Sequence, residues 1–348
     1  MNSSLEKIDI LSLSLEDLEA KIVSLGEPKY RAKQIFSWIN KGMWDDEMKN
    51  IPLALRAKLN EVFFYPLPKI ERKLVSKIDG TIKYLFKLHD GELIESVFMK
   101  YNHGNTVCIS SEAGCPMGCK FCASTLKGLT RKLAPSEMLG QVLVVEKDMG
   151  QRVSNIVMMG IGEPLDNYYN TVKFLRLVSD DNGMNIGLRH ISVSTCGIVP
   201  MINKLRDEGL GITLSISLHA SDDETRSEIM PVNKKYPIAQ LLEACYEYFD
   251  KTGRRISFEY TMIKDVNDSP SHAEKLGQIL RKYMRSSPVH VNLIPVNTVK
   301  ERGFVRSDET SITRFIEILA KRGITATKRR SLGSDINASC GQLRNSKN

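Results

Sequence analysis

Six short runs rich in β-branched residues recur along the later part of the chain, and each is followed by an amphipathic pattern. The runs are NTVCIS (105–110), NIVMMG (155–160), HISVST (190–195), ITLSISL (212–218), RISFEYTMI (255–263) and VHVNLIP (289–295). The segments between them include SEMLGQVLVVEKDM, YNTVKFLRLVSD and HAEKLGQILRKY, whose apolar residues recur at helical spacing. Strands separated by helices pair in parallel, because the crossover needs a dozen or more residues and lays a helix on the sheet. Six such units fall short of the eight that close a TIM barrel. The expected fold is therefore α/β, a partial (β/α)6 barrel, with chemistry at the C-terminal ends of its strands.

The remainder of the 348 residues is organised differently. Ser14 precedes LEDLEAKIVSL with Gly26 after it, Pro28 opens PKYRAKQIFSWINK before Gly42, and Pro52 opens PLALRAKLNEVF, so residues 1 to about 65 predict helices. From Lys69 to Met99 short runs broken by Asp79-Gly80 and Asp90-Gly91 predict a three-stranded meander, with a linker at Asn102 to Asn105. The expected division is an accessory domain at 1–100, a core barrel at 101–330 and a C-terminal loop at 331–348. A composition of 42% hydrophobic and 26% charged residues excludes disordered, collagen-like and membrane classes. No apolar run approaches the roughly 18 residues of a membrane span, and Glu6, Lys7 and Asp9 interrupt the start, so a cytoplasmic protein without a membrane partner is expected.

The net charge is +8, and its distribution is uneven. Residues 321–348 carry Lys321, Arg322, Lys328, Arg329, Arg330, Arg344 and Lys347 against Asp335 alone, a basic excess suited to a phosphate backbone or simply to a solvated surface. The seven cysteines are an odd number in a chain of this class and do not form a disulfide framework. Three of them, Cys115, Cys119 and Cys122, crowd the loop after the first barrel strand as C-x3-C-x2-C. Three thiolates can hold three irons of a [4Fe–4S] cluster and leave the fourth iron free for a small molecule. Gly114, Pro116 and Gly118 let the backbone wrap an inorganic core, and Phe121 would shield it. A structural zinc site is the alternative, but it wants a fourth ligand and none is obvious nearby.

With this triad, the stretches CISSEAGCPMGCKFCAST, MGIGEPLDN, STCGIVP, SLHA, NLIPVN and GSDINASCGQL occur in order from Cys108 to Leu343. In that order they resemble the radical S-adenosylmethionine (SAM) superfamily and, within it, the RlmN-type adenine-C2 methyltransferases acting on 23S rRNA and tRNA. The resemblance implies a cluster on Cys115, Cys119 and Cys122, two SAM molecules per turnover and an external electron donor such as flavodoxin, with no obligate protein partner. It implies that Gly162 and Glu163 meet the amino group of SAM, and that Ser194, Ser217, Leu218, His219 and Asn297 hold its remaining parts. It further implies that Cys340 is methylated by a first SAM and that a radical from a second removes hydrogen from the new S-methyl group. The carbon so formed adds to adenine C2, and Cys108 then attacks the Cys340 sulfur, giving a transient disulfide. Glu95 matches the position of a proton acceptor.

The residues alone leave blander readings open. Cys108 suits a small buried hydrophobe, Glu95 an exposed strand carboxylate, and strand-end polar groups often cap backbone. Cys340 lies in a Gly/Ser/Asn-rich segment with the composition of a mobile loop, whereas Cys196 and Cys245 are expected to pack. Candidate phosphate contacts are Lys127, Arg131, Lys132, Lys234, Lys235 and Lys328 to Arg330, with no RRM or KH signature. Two alternatives remain: a related C8 adenine methyltransferase linked to antibiotic resistance, against which the run after Cys122, Ala-Ser-Thr-Leu, argues, and a non-catalytic iron–sulfur protein that binds RNA.

Overall fold

The computed structural model describes residues 7–285 and 287–344; Glu6 and Lys347 lie outside the described residues. Three helices open the chain, α1 (Leu15–Ser24), α2 (Tyr30–Ile39) and α3 (Leu53–Val62). The first starts where expected because Ser14 Oγ accepts from the Asp17 amide while Asp17 caps the Ser14 amide in return, satisfying two of the four orphan donors of a helix start. The meander follows as β1 (Lys69–Val75), β2 (Ile82–Lys87) and β3 (Leu93–Tyr101), turning at Gly80 and Gly91 with φ of +73° and +91°.

The barrel then supplies β4 (Gly104–Cys108), β5 (Asn155–Met158), β6 (Ile191–Thr195), β7 (Thr213–Ser217), β8 (Ile256–Met262), β9 (Val289–Pro295) and β10 (Thr325–Lys328). The intervening helices are α4 (Pro135–Met149), α5 (Tyr168–Ser179), α6 (Val199–Arg206), α7 (Asp223–Ile229), α8 (Ile238–Thr252), α9 (Pro270–Met284) and α10 (Glu309–Lys321). All ten strands form one sheet in simple order from β1 to β10, antiparallel up to β4 and parallel beyond it. Six β/α units are present as expected, plus a seventh parallel strand, β10.

The expected linker at Asn102 to Asn105 is instead a tight turn that runs into β4, and β3 pairs with β4 through Val97 opposite Cys108. The sheet is therefore continuous across residue 100, and the meander forms part of the barrel wall. The helices α1–α3 pack on the same body. Pro68 approaches α4 so closely that a Cβ on Gly140 would lie 2.6 Å from it, and the Ser12 hydroxyl accepts from the Ser136 amide at the start of that helix.

Alternation within the strands sets the character of the interior. Ile156, Ile191, Val193, Leu214, Ile216, Ile256, Phe258, Val291 and Leu293 face the helices and are buried. Their removal from water, at about 25 cal/mol per Å² of apolar surface, is what holds the helical layer to the sheet. The opposite face carries Thr106, Asn155, Ser192, Ser194, Ser215, Ser217, Ser257, Glu259, His290, Asn292 and Thr327, aligned across neighbouring strands by the parallel register. The lumen is therefore polar and partly open, unlike the filled interior of a closed barrel. No helix among the described residues is long and apolar enough to cross a membrane.

Candidate active site

A cleft with about 940 Å³ of empty space opens at the C-terminal ends of the barrel strands. Its walls include Cys115, Cys119 and Cys122, Gly162 and Glu163, Ser194, Ser217, His219, Asn297 and Cys340. The fold thus gathers onto one surface residues spread over more than 220 positions. Leu218 is not among them. Its side chain is in the apolar core, its amide donates to the Glu259 carbonyl, and its own carbonyl accepts from Arg226.

The cysteine loop is shaped by backbone that only glycine tolerates. Gly114 has φ +81°, and a Cβ there would collide with the Gly128 carbonyl. All three thiols are held above the ordinary thiol range, first by burial, with Cys119 pushed up to about 12. Among the described residues no three of His, Cys, Asp and Glu converge on one point as a single-ion site requires. The three thiols line the cleft wall together, and a loop that supplies three thiolates suits a multi-iron core better than a closed zinc site, which takes four ligands. Three thiol donors supplied by one loop to the wall of one cleft fit a [4Fe–4S] cluster with one open iron.

The Gly162 backbone passes against Glu112, where a Cβ would lie 2.6 Å away. Glu163 Oε2 accepts from the Cys196 amide at 2.7 Å and Oε1 from the Leu165 amide at 3.0 Å, while burial pushes its pKa up. The Glu163 amide donates to Glu112 Oε2 at 2.8 Å. Glu112 is buried, and burial together with the neighbouring carboxyls of Asp166 and Glu163 pushes its pKa up to about 8.

His219 sits in left-handed backbone, φ +57°, with its ring steeply inclined to that of Phe121 and their centroids 4.9 Å apart. Its Nδ1 accepts from the Thr261 amide at 2.8 Å, and burial lowers its pKa to about 3. The imidazole is therefore neutral with its proton on Nε2, leaving a donor, not a charge, for the cleft. Arg226, which the sequence disguises as a helix-surface residue, is fully buried. It donates to the carbonyls of Leu218, Cys196 and Ser217 and to Asn233 Oδ1, tying together the ends of β6 and β7.

Cys340 is not on a free loop. Asn297 Nδ2 donates to its carbonyl at 3.0 Å, and the Ala123 amide donates to the Gly341 carbonyl at 2.8 Å. Ser124 Oγ donates to the Leu343 carbonyl, and Asp335 accepts from Ser76 Oγ and the Lys77 amide. Residues 331–344 form a strap whose polar side chains and backbone are spent on these tethers, the reason its composition resembles that of a mobile segment. Ala338 and Leu343 also pack against Val97, Met99, Cys108 and Ile161.

Beneath the strap is a second, smaller cavity lined by Val97, Met99, Tyr101, Cys108, Leu332 and Cys340, among others. Cys108 is buried and its thiol is pushed up to about 12 by burial; both cysteines are free thiols. Arg329 reaches the walls of both cavities. The Cys340 thiol and the Glu259 carboxylate hold its guanidinium pKa above the ordinary value.

Glu95 lies outside both cavities. It is 5% exposed, contrary to the exposed-carboxylate reading; it pairs with Lys83 at 3.0 Å and accepts from the Arg344 amide at 2.7 Å. Several expected phosphate contacts have carboxylate partners: Arg131 pairs with Asp90 and Glu137 and Arg329 with Glu259 in partly buried positions, whereas Lys132 pairs with Asp166 and Lys328 with Glu309 at the surface. Lys127, Lys234, Lys235 and Arg330 remain exposed. Both remaining cysteines pack as expected, Cys245 in α8 and Cys196 in an apolar cluster with Ile229 and Met230, where it also lines the cleft beside Cys119.

Comparison with known proteins agrees with this geometry. Residues 109–276 match the radical SAM superfamily, and residues 8–64 match the ribosomal RNA large subunit methyltransferase N-terminal domain. The chain is 53% identical over 341 residues to a protein of Alkaliphilus oremlandii named probable dual-specificity RNA methyltransferase RlmN, covering 98% of each. It is 54% identical over 339 residues to a protein of the same name from Clostridium botulinum (strain Eklund 17B / Type B), covering 97% of this chain and 96% of the other. The crystal structure of a radical SAM methyltransferase from Sphaerobacter thermophilus superposes with a TM-score of 0.93 at 43% identity, covering 97% of this chain and 100% of that one. A cleft walled by three cysteines and sequence identity running the length of the chain lead to one conclusion: it belongs to the RlmN family of radical SAM RNA methyltransferases.

Proposed function

We propose that this chain methylates C2 of an adenine in 23S rRNA, at the peptidyl transferase centre, and in tRNA, at the purine 3′ to the anticodon, with Cys340 as the methyl carrier. The supporting observation is that Cys340 stands in the wall common to the cofactor cleft and to the smaller cavity that contains Cys108. A group carried on its sulfur faces both the source of the methyl and a second thiol.

Cys115, Cys119 and Cys122 would hold the cluster, and Glu163, Ser194, Ser217, His219 and Asn297 would surround SAM. When bound, that pair would supply the one-electron chemistry that removes a hydrogen atom from a methyl group. The substrate demands it, because C2 of adenine lies between two ring nitrogens and is too electron-poor to attack a methyl cation equivalent. Asn297, by donating to the Cys340 carbonyl, fixes the carrier at the cleft. Cys108 resolves the protein–RNA adduct by attack on the Cys340 sulfur, releasing the methylated base and leaving a disulfide. Glu95, which matches the position of a proton acceptor, faces Lys83 and the Arg344 amide and so anchors the strap that carries Cys340. An external donor such as flavodoxin supplies the electrons.

The test is mass spectrometry of the Cys340 peptide from anaerobically prepared holoenzyme, with a Cys108→Ala variant beside it. One added methyl on Cys340, RNA trapped covalently on the variant and 2-methyladenine in the product nucleosides are the expected results. An unmodified Cys340 or an 8-methyladenine product refutes the assignment.

A further inference from the structure

The lumen beneath the cleft contains a continuous line of proton-exchanging groups that the roles above leave unused. Glu259 lines the cleft together with Cys340. Its Oε1 accepts from Ser257 Oγ at 3.0 Å, and its Oε2 accepts from Asn292 Nδ2 at 2.7 Å. Ser257 Oγ is in turn 3.2 Å from His290 Nδ1, and His290 Nε2 is 2.9 Å from Thr327 Oγ1 on the edge strand β10, at the exposed side of the lumen. The register explains the alignment: Ser257 is paired with His290 and Glu259 with Asn292, so all four side chains face inward.

Carboxylate, hydroxyl and imidazole each both accept and release a proton, and each contact from Glu259 to Thr327 lies within hydrogen-bond distance, while Cys340 and Glu259 share the wall of the cleft. We propose that Glu259, Ser257 and His290 form a proton exit from the cleft to solvent at Thr327. This rests on the reading of Cys340 as methyl acceptor. When its sulfur is alkylated, the S–H bond breaks as the S–C bond forms, and the spent sulfonium leaves as a neutral thioether. The proton left over passes to the Glu259 carboxylate; Ser257 takes it from Glu259 and passes its own to His290 Nδ1, and the Nε2 proton leaves to Thr327 and solvent.

The charged and polar neighbours are consistent with through-passage rather than storage. Arg329 faces Glu259 from the end of β10 at 3.5 Å, and Asn292 faces it from β9. Burial and the nearby Arg255 lower the pKa of His290, so the ring does not retain the proton at neutral pH.

The test follows methyl gain on the Cys340 peptide in a single turnover of holoenzyme with SAM and no RNA, across pH 6 to 9. The variants are Ser257→Ala, Ser257→Thr and His290→Gln. Loss of a relay member is expected to slow methylation about tenfold to a hundredfold at neutral pH, with the deficit shrinking as pH rises. Ser257→Thr is expected to stay within about twofold of the parent, and added imidazole to rescue His290→Gln, neither of which a purely structural defect predicts. Melting temperature and SAM affinity are measured alongside.

A second readout needs neither cluster nor SAM. By ¹⁵N NMR of the imidazole, Glu259→Gln should move the titration of His290 when Ser257 is present and not in the Ser257→Ala background. The proposal is overturned if Ser257→Ala and His290→Gln methylate at the parental rate with an unchanged solvent isotope effect, as water reaching the cleft through the base of the lumen would produce. Absence of methyl gain in the parent enzyme instead overturns the carrier role of Cys340, and the exit with it.

Discussion

Replacing Glu112 by Gln should make this protein more stable, and increasingly so as the solution becomes more alkaline. The carboxyl is buried, with Glu163 and Asp166 beside it, and its pKa rises from 4.5 to about 8. Between those values the unfolded chain gives up a proton that the folded chain retains, so the unfolded state binds fewer protons and stability falls as pH rises through this window. At about 1.4 kcal/mol per pKa unit the full shift corresponds to roughly 5 kcal/mol, and relaxation of the surroundings brings a realistic figure to about 2–5 kcal/mol. Gln retains an oxygen to accept from the Glu163 amide and places an N–H toward Asp166, so the hydrogen-bond pattern survives. Urea midpoints of parent and Glu112→Gln protein, without cluster, should nearly coincide at pH 4.5 and diverge by pH 8.5. Parallel pH profiles for the two proteins would show that Glu112 ionises normally and that the carboxyl cluster does not store this energy.

Three further outcomes follow from the described contacts. Gly114→Ala forces a Cβ into the Gly128 carbonyl at positive φ, and should cost about 1–3 kcal/mol and sharply reduce iron per chain after reconstitution, read by metal analysis. Glu95→Gln removes one partner of a buried ion pair and weakens the acceptor for the Arg344 amide. A loss of about 3 kcal/mol or more and faster amide exchange across 331–344 are expected, while unchanged exchange there would remove Glu95 from its anchoring role. If Lys127, Lys234 and Lys235 contact phosphates, replacing all three by Gln should lower RNA affinity and reduce the slope of log affinity against log salt by about 2–3, measured by filter binding.

The barrel was legible because a parallel strand followed by a helix leaves a double signature, a β-branched run and then an amphipathic one. Thr325–Lys328 escaped because TATK is short and partly exposed, and its strand character comes from pairing with β9. The cysteine triad and the residues around the cleft could be read as motifs at strand ends. The polar lumen was also present in the text, as Ser, Thr, Glu, His and Asn at every second position of ISVST, TLSIS, ISFEYTM and HVNLIP, but β-branched content masks that alternation. What could not be read is where long-range partners lie. Arg226 in DETRSEI looks like a solvated helix residue until three strand-end carbonyls converge on it, and Leu218 shares a motif with two cleft residues while its own side chain points into the core. Likewise, the polarity of 331–344 reads as looseness until its hydrogen bonds to Ser76, Glu95 and Asn297 are known.

That strap joins Asp335 to Ser76 across 259 positions of chain. A ribosome delivers the chain from its N-terminal end, so sheet, helices and cysteine loop can all be in place before the residues that roof them emerge. Without those residues the cleft lacks the part of its wall that Cys340 and Gly341 supply, which would leave a wider route of entry for iron and sulfide. Metal loading and docking of the strap would then be ordered events, the first easiest before the second is complete.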